Sequence, residues 1–279
     1  MATRLGCLLA LVAPLAAWAP GPASAGEINP LHVSSRLTMH IAASDAHLIR
    51  RPLGVPRLEV GGVPAEPVDA FCWDGRGVVA VPGEILIDVD VTANTGVIRA
   101  RWSDRHGEWT YTQDVFVHPE HPSGIRIGAS AEERDKLLND PIVANAYLHG
   151  DTLAGQPVLP TVFAYLAAWG PALVTLDGEP LANPFGLPGP LWLGHVMVTE
   201  GVRGEDGTVR TVDGGIYSPA RGAEGAHDPD DLEVHLVFHD ERFPRTANVP
   251  PLFSFFYHVL FESVSIQISA RDAPGRLVR

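Results

Sequence analysis

The sequence predicts an all-β protein, built as two β-sandwich-like halves joined by a short helix-containing connector. Three observations lead to this prediction. Apolar residues alternate with polar ones in short runs, turn residues separate the runs, and one helix-capping pattern stands near the middle of the chain. Strands at this spacing, with turns between them, are typical of a β-sandwich.

The clearest strand of the first half runs through residues 85–91. Every second residue there is aliphatic, and Asp88 and Asp90 occupy the alternate face. This period of two indicates a half-buried strand. Residues 93–96 then predict a turn, and residues 97–102 the returning strand. We expect a second hairpin across residues 103–107, with residues 108–117 returning.

The connector is predicted from a capping box. Ser130 is a suitable N-cap and Glu133 follows it by three residues, so a short helix should begin here and end near Pro141. We place a domain boundary at this point, between an N-terminal β domain at residues 26–128 and a C-terminal sandwich-like domain at residues 129–279. The alternative is a helix that crosses one end of a single sandwich.

The second half again reads as short strands. Asp177-Gly178 is a two-residue hairpin signal. A long loop rich in Gly, Asp and Arg covers residues 201–231, and loops of this length in a domain are often functional or disordered. The predicted strands are residues 158–166, 172–176, 191–199, 232–238 and 253–268.

The N-terminus predicts export. Arg4 precedes an apolar stretch at residues 5–19, and Ala23-Ser24-Ala25 is a small-x-small cleavage pattern. The stretch is shorter than the ~20 residues of a spanning helix, and Pro14 interrupts it. We therefore expect residues 1–25 to be a cleaved signal peptide. The mature protein would have no integral membrane segment and would reside in the periplasm, at the cell surface or outside the cell.

Charge and cysteine content restrict the partners and chemistry. The chain has 33 acidic and 20 basic residues, so loss of Arg4 leaves 19 − 33 = −14. Such a surface repels phosphate groups, which argues against nucleic acid and anionic lipid as partners. Cys72 is the only cysteine after cleavage, so no internal disulfide can form. Its apolar neighbours Phe71 and Trp73 predict a buried thiol.

No complete catalytic constellation is visible. Neither a Gly-x-Gly-x-x-Gly motif nor a P-loop occurs. The block Gly150-Asp151-Thr152-Leu153 resembles the Gly-Asp-Ser-Leu block of a serine hydrolase family, but a threonine stands at the nucleophile position and the family's late Asp-x-x-His is absent. We therefore favour a non-enzymatic binding or surface module whose ligand or protein partner is unknown.

The alternative function is metal binding, with or without catalysis. His195, His235 and His258 each lie in a different predicted strand of the second half, and Glu262 or Met197 would complete a shell. Three histidines with an open position suit Zn²⁺ or copper. They converge only if their strands are adjacent and in register. Otherwise the histidines lie on a half-exposed sheet or satisfy hydrogen bonds in the core.

Overall fold

The structure is a computed structural model. It describes residues 35–56, 58–119, 140–152, 158–185, 189–221, 224–239, 255–272 and 276–277. The predicted signal peptide lies outside these residues. The start of the predicted connector helix at Ser130 also lies outside them, as does the predicted domain boundary at residues 128–129.

Nearly all regular structure in the described part of the chain is β-strand. Two single-turn 3₁₀ helices occur, at Gly150–Thr152 and Pro219–Arg221, and no described helix is long and apolar enough to cross a lipid bilayer. The strands are β1 (Ser35–Ile49), β2 (Arg51–Pro52), β3 (Leu58–Val60), β4 (Val63–Ala65), β5 (Val68–Asp69), β6 (Val78–Val81), β7 (Gly83–Asp90), β8 (Thr95–Asp104), β9 (Gly107–Gln113), β10 (Ile142–Leu148), β11 (Val162–Leu176), β12 (Glu179–Pro180), β13 (Leu191–Gly201), β14 (Asp228–His239), β15 (Phe256–Asp272) and β16 (Arg276–Leu277).

Eight of these strands close into an antiparallel barrel. The order is β1-β7-β8-β9-β11-β13-β14-β15, and β15 pairs back onto β1 from Ser35↔Asp272 to Leu48↔Val259. Strand β6 extends the sheet beside β1, and β10 and β12 pair with the two ends of β11. Closure leaves no free edge among the eight barrel strands.

The prediction of an all-β fold is confirmed, but the prediction of a sandwich is wrong, because the described strands form a barrel. Two pairings merge the halves into one barrel. The first is β9 with β11, and the second is β15 with β1. A barrel strand and a sandwich strand both alternate between a buried and an outward face, so the alternation in the sequence fits either architecture.

Both predicted hairpins of the first half form, although the first turn lies two residues earlier than the predicted residues 93–96. β7 and β8 are joined by a turn at residues 91–94, and β8 and β9 pair as far as Asp104↔Gly107. Asp177 and Gly178 have φ values of 51° and 83°, as a type I′ hairpin turn requires. The two strands predicted at residues 158–166 and 172–176 are one strand, β11. Pro171 is tolerated within β11 because it falls between the part paired with β10 and the part paired with β9.

Large apolar side chains fill the barrel interior. All eight strands contribute to one buried cluster, and its aromatic rings contact one another. The ring centroid of Phe238, for example, lies within 6.4 Å of the centroids of six other aromatic rings. These rings are those of Trp102, Trp109, Tyr111, Trp192, Phe255 and Tyr257.

A second apolar cluster lies on the outer face of the barrel. Here residues 68–74, which we call the cover, pack against the outward side chains of β13, β14 and β15. Trp73 at the end of the cover donates its indole N–H to the Val158 carbonyl at 2.7 Å. The cover also meets the loop after β13 through an Asp74↔Thr208 bridge. Part of the outward face of these three barrel strands is therefore buried.

Candidate functional site

The three predicted histidines lie on the same, outward face of the barrel. His195 pairs with Val237, which pairs with His258, and in the next row Met197 pairs with His235, which pairs with Leu260. Directly paired residues of an antiparallel sheet share a face. The three strands are thus neighbours in the sheet, as convergence would require, but His195 and His258 are separated by the strand that carries Val237. Two strand spacings amount to ~10 Å.

His235 and His258 contact each other beneath the cover. His235 Nδ1 lies 3.1 Å from His258 Nε2, and His258 Nδ1 lies 2.8 Å from the Ala70 carbonyl oxygen. A carbonyl can only accept, so His258 Nδ1 carries a hydrogen and donates it. Neutral His258 then accepts at Nε2, and His235 donates from Nδ1. The hydrogen bonds thereby assign the tautomer of both rings.

Glu233 ends this buried chain. Its Oε2 lies 3.1 Å from His235 Nε2 without forming a hydrogen bond with it, and its Oε1 accepts from the backbone N–H of Arg203 at 2.9 Å. Burial raises the pKa of Glu233 to about 7. The tautomers also favour a protonated Glu233 carboxyl group, because neutral His235 presents a lone pair and not a hydrogen at Nε2.

Burial also controls the charge of the two histidines. It lowers the pKa of His235 to about 3, with the positive charge of Arg203 as a further cause. It lowers the pKa of His258 well below its ordinary value, and His235, Arg203 and His149 act in the same direction. Both imidazoles are only 1% exposed and are therefore neutral at neutral pH.

Arg203 connects the chain to the cover. It is 7% exposed, and its guanidinium donates from Nη1 to the carbonyls of Gly207 at 2.7 Å and Cys72 at 3.4 Å. Its Nη2 donates to the Phe71 carbonyl. Its Nε is buried and has no hydrogen-bond partner among the described residues. Most buried donors in folded proteins have a hydrogen-bond partner in the protein or in ordered water, so an unpartnered one is unusual.

The cover is held in a fixed conformation. Asp69 Oδ1 accepts from the backbone N–H groups of Phe71 and Cys72, and Cys72 adopts a φ of 42°. The prediction of a buried thiol is confirmed, and burial raises the pKa of Cys72 to about 12. A thiol with so high a pKa is protonated at neutral pH and is not a nucleophile.

His195 has partners of its own. Its Nδ1 lies 3.1 Å from the Ala168 carbonyl oxygen, and its ring stacks on Trp169 at 4.7 Å between centroids. Its ring also lies 6.5 Å from that of His149, whose Nε2 is 3.2 Å from the sulfur of Met197. His195 therefore belongs to a separate contact group on the same face.

Glu262 does not approach the histidine pair. It follows His258 by four residues on β15, a separation of ~13 Å along a strand. Its Oε2 lies 3.6 Å from His47 Nδ1. Burial is the largest cause of its raised pKa, and Glu233, Asp231 and Asp45 add negative charge around it. The described residues contain no group of three or more His, Cys, Asp or Glu arranged to hold a metal ion.

Glu262 instead lines a pocket of ≈ 200 Å³ beside the cover, which we call the Arg203 pocket. Its floor continues the outward row of His235, because His47 pairs with both Leu260 and Ala80. The loop after β13 forms the opposite wall. The lining residues are His47, Val78, Ala80, Arg203, Glu205, Asp206, Gly207, Leu260 and Glu262.

Two residues of this region were missed by the sequence analysis. The sequence pattern does indicate Glu233, since it shares the polar face of its strand with His235. The sequence does not indicate Arg203, because a single arginine in a long loop does not reveal that its side chain is buried. The resemblance at residues 150–153 does not produce an exposed nucleophile, because Thr152 is fully buried and donates its hydroxyl to the His149 carbonyl at 2.6 Å.

Comparisons with known proteins add no relative: no family model matches the sequence, and neither a curated protein nor a solved structure gives a significant match. Any assignment of function therefore depends on the chemistry of the residues described above.

Proposed function

We propose that this protein is exported and acts as a non-enzymatic binding module, with its ligand site in the Arg203 pocket. The observation that carries the proposal is the Arg203 pocket itself, an open cavity of ≈ 200 Å³ on the outer face whose lining includes charged side chains. Side chains fill the barrel interior, so a ligand in the barrel axis would have to displace the aromatic core. The outer face is the remaining place for a small molecule.

Two neighbouring substitutions on β6 test this site. Ala80 lines the pocket and is exposed, so Ala80→Trp should fill the pocket without disturbing the core. Val79 is the matched control, since it is exposed, lies on the opposite face of the same strand and does not line the pocket. Protein purified from the exported fraction would be analysed by native mass spectrometry, and released small molecules identified.

We expect a bound small molecule in the wild type and in Val79→Trp, and its loss in Ala80→Trp. Intact mass should place the mature N-terminus at Gly26. The proposal is overturned if a broad metabolite library gives no binding that Ala80→Trp abolishes, or if the exported form retains residues 1–25.

Metal binding is the second candidate function. The facing nitrogens of His235 and His258 favour it, and each ring has an oxygen atom beside its other nitrogen, as metal-bound histidines commonly do. Zinc or copper in the exported protein should then disappear in the double variant His235→Leu/His258→Leu and persist in His195→Leu. Absence of stoichiometric metal in protein purified without chelators would remove this candidate.

A further inference from the structure

We infer that His149, Met197 and His195 form a binding site for a soft monovalent metal ion, Cu(I), on the outer face of the barrel. The inference goes beyond the proposed function, because none of the three residues lines the Arg203 pocket. It also differs from the second candidate function, which places an ion between His235 and His258.

Two of the three donor atoms already contact each other. His149 Nε2 lies 3.2 Å from the Met197 sulfur. A thioether can only accept, so Nε2 carries the hydrogen in this metal-free form. With the usual metal bonds of ~2.0 Å to nitrogen and ~2.3 Å to sulfur, one ion can bind both atoms at an angle of about 95°. Binding requires only that the hydrogen move from Nε2 to Nδ1, which leaves the ring neutral.

His195 supplies the third donor. Its Nδ1 lies 3.1 Å from the Ala168 carbonyl oxygen, which can only accept, so Nδ1 carries the hydrogen and neutral His195 has a lone pair at Nε2. A carbonyl beside the second nitrogen is common for metal-bound histidines.

The two imidazole rings are close enough to share one ion. The ring centroids of His149 and His195 lie 6.5 Å apart. Because a bound ion lies ~3.2 Å from each ring centroid, two rings on opposite sides of one ion are ~6.5 Å apart, and two rings in trigonal geometry are ~5.6 Å apart. An approach of ~1 Å therefore completes a three-coordinate site with Met197.

The backbone fixes His149 before any ion arrives. Its φ of 60° lies in the left-handed region, which residues other than glycine seldom adopt. Thr152 donates both its backbone N–H, at 3.1 Å, and its hydroxyl, at 2.6 Å, to the His149 carbonyl. Such a conformation persists only where the surrounding structure imposes it, and it is frequent at binding sites.

The donors and their surroundings select the kind of ion. All three donor atoms are uncharged, and the neighbouring Met197 and Trp169 belong to an apolar cluster, with Trp169 stacked on His195. The desolvation cost of an ion rises with the square of its charge, so this setting favours a monovalent ion over a divalent one. Thioether and imidazole ligands suit Cu(I), whereas the oxygen ligands that Mg²⁺ and Ca²⁺ require are not part of this set.

An ion can exchange with solvent at this site. His149 and Met197 are buried, but His195 is only partly buried, so an ion reaches His195 first. The site includes a methionine, and it therefore differs from a group of three or more His, Cys, Asp or Glu, of which the described residues contain none.

The thioether gives the sharpest test. Met197→Leu removes the sulfur at nearly the same volume. Met39→Leu is the matched control, because Met39 is equally buried but lies in the barrel interior. Chelator-treated protein would be loaded with Cu(I) under argon, and the affinity measured by competition with a chromogenic Cu(I) chelator. We expect one Cu(I) per chain in the wild type and in Met39→Leu, and an affinity at least ~10-fold lower in Met197→Leu.

Two further measurements do not depend on that variant. His149→Asn should weaken Cu(I) binding by a similar factor, because asparagine also tolerates a φ of 60° but has no imidazole. X-ray absorption of the wild-type complex should show a sulfur atom at ~2.3 Å from copper beside nitrogen at ~2.0 Å. Circular dichroism would verify that the variants are folded.

The inference is overturned if Cu(I) does not bind, if Met197→Leu binds it as the wild type does, or if the spectrum contains no sulfur. It is also overturned if copper is retained in Met197→Leu and lost in His235→Leu/His258→Leu, a result that favours the second candidate function. Loss of Cu(I) in His195→Leu supports the inference, since the second candidate expects metal to persist there. Ala80→Trp tests the Arg203 pocket separately, so either proposal can fail while the other stands.

Discussion

The two faces of the barrel wall differ in chemistry although both are buried. The interior contains aliphatic and aromatic side chains that contact one another, such as Phe238 and Tyr257. The covered outer face of the same strands holds Glu233, His235 and His258, which alternate along the chain with interior residues. One face requires only shape complementarity, and the other also requires hydrogen bonds for each polar atom.

We propose that this difference separates stability from function. An eight-stranded barrel is stabilised by its interior and does not need charged residues on its outer wall. Burying polar groups there carries a desolvation cost, and such groups are commonly retained for a role other than stability. The covered face, with the Arg203 pocket at its border, is therefore the region to which we assign function.

The largest expected effect is in the interior. Phe238→Ala should lower the free energy of unfolding by ~3–5 kcal/mol, because it removes a fully buried ring and leaves a cavity. Leu173→Ala is the control, since Leu173 is 38% exposed and its truncation should change stability by about 0.5 kcal/mol or less. Urea unfolding measures both. A loss below ~1 kcal/mol for Phe238→Ala would contradict a close-packed interior.

The next effect is on the covered face. His258→Leu should cost ~2–4 kcal/mol, because the Ala70 carbonyl and His235 Nδ1 both lose a buried partner. The double variant His235→Leu/His258→Leu removes one of these unpaired groups. It should therefore be less destabilised than the sum of the two single variants, when urea unfolding is compared at one pH. Strict additivity would mean that the two rings do not act as a pair.

The same pair predicts how stability depends on pH. In the folded protein the pKa of His235 is about 3 and that of His258 is also depressed, so both stay neutral where the unfolded chain protonates them, below pH 6.5. The pKa of Glu233 is raised from 4.5 to about 7, so the folded protein holds one proton there that the unfolded chain lacks between these values. Between pH 6.5 and pH 4.5, unfolding therefore takes up two protons at the histidines and releases one at Glu233.

These three groups together should therefore lower the free energy of unfolding by ~1.4 kcal/mol for each pH unit as the pH decreases through that window. The contribution of the histidines is complete above pH 6.5 and is lost toward acid, while that of Glu233 runs the opposite way. Urea unfolding between pH 7 and 4.5 measures the slope. In the double histidine variant the slope should decrease by ~2.7 kcal/mol per pH unit, the effect of two protons, and an unchanged slope would assign it to other groups.

The smallest expected effect is that of metal removal. His235 and His258 already hydrogen-bond to each other and to Ala70, so dialysis against a chelator should change the melting temperature by no more than about 1 °C. A fall of several degrees, restored by Zn²⁺ or copper, would instead support the metal-binding candidate for the covered face.

Sequence patterns predict the parts of this structure that are local. The hairpins around residues 93–96 and at Asp177-Gly178 follow from turn chemistry. The polar face shared by Glu233 and His235 follows from period-two alternation. Barrel closure does not, because the pairing of β1 with β15 joins residues more than 200 positions apart. The contact of His235 with His258, and the placement of Arg203 against the cover, depend on that same long-range register.

The most direct test of the division between the two faces is the fraction of purified protein that retains the bound small molecule, measured by native mass spectrometry on one variant of each face. Phe238→Leu should lower the melting temperature and leave that fraction as in the wild type, because the interior is remote from the ligand. Ala80→Trp should keep the melting temperature and abolish binding, because its indole occupies the Arg203 pocket. Loss of the bound molecule in Phe238→Leu, with normal retention in Ala80→Trp, would contradict the account.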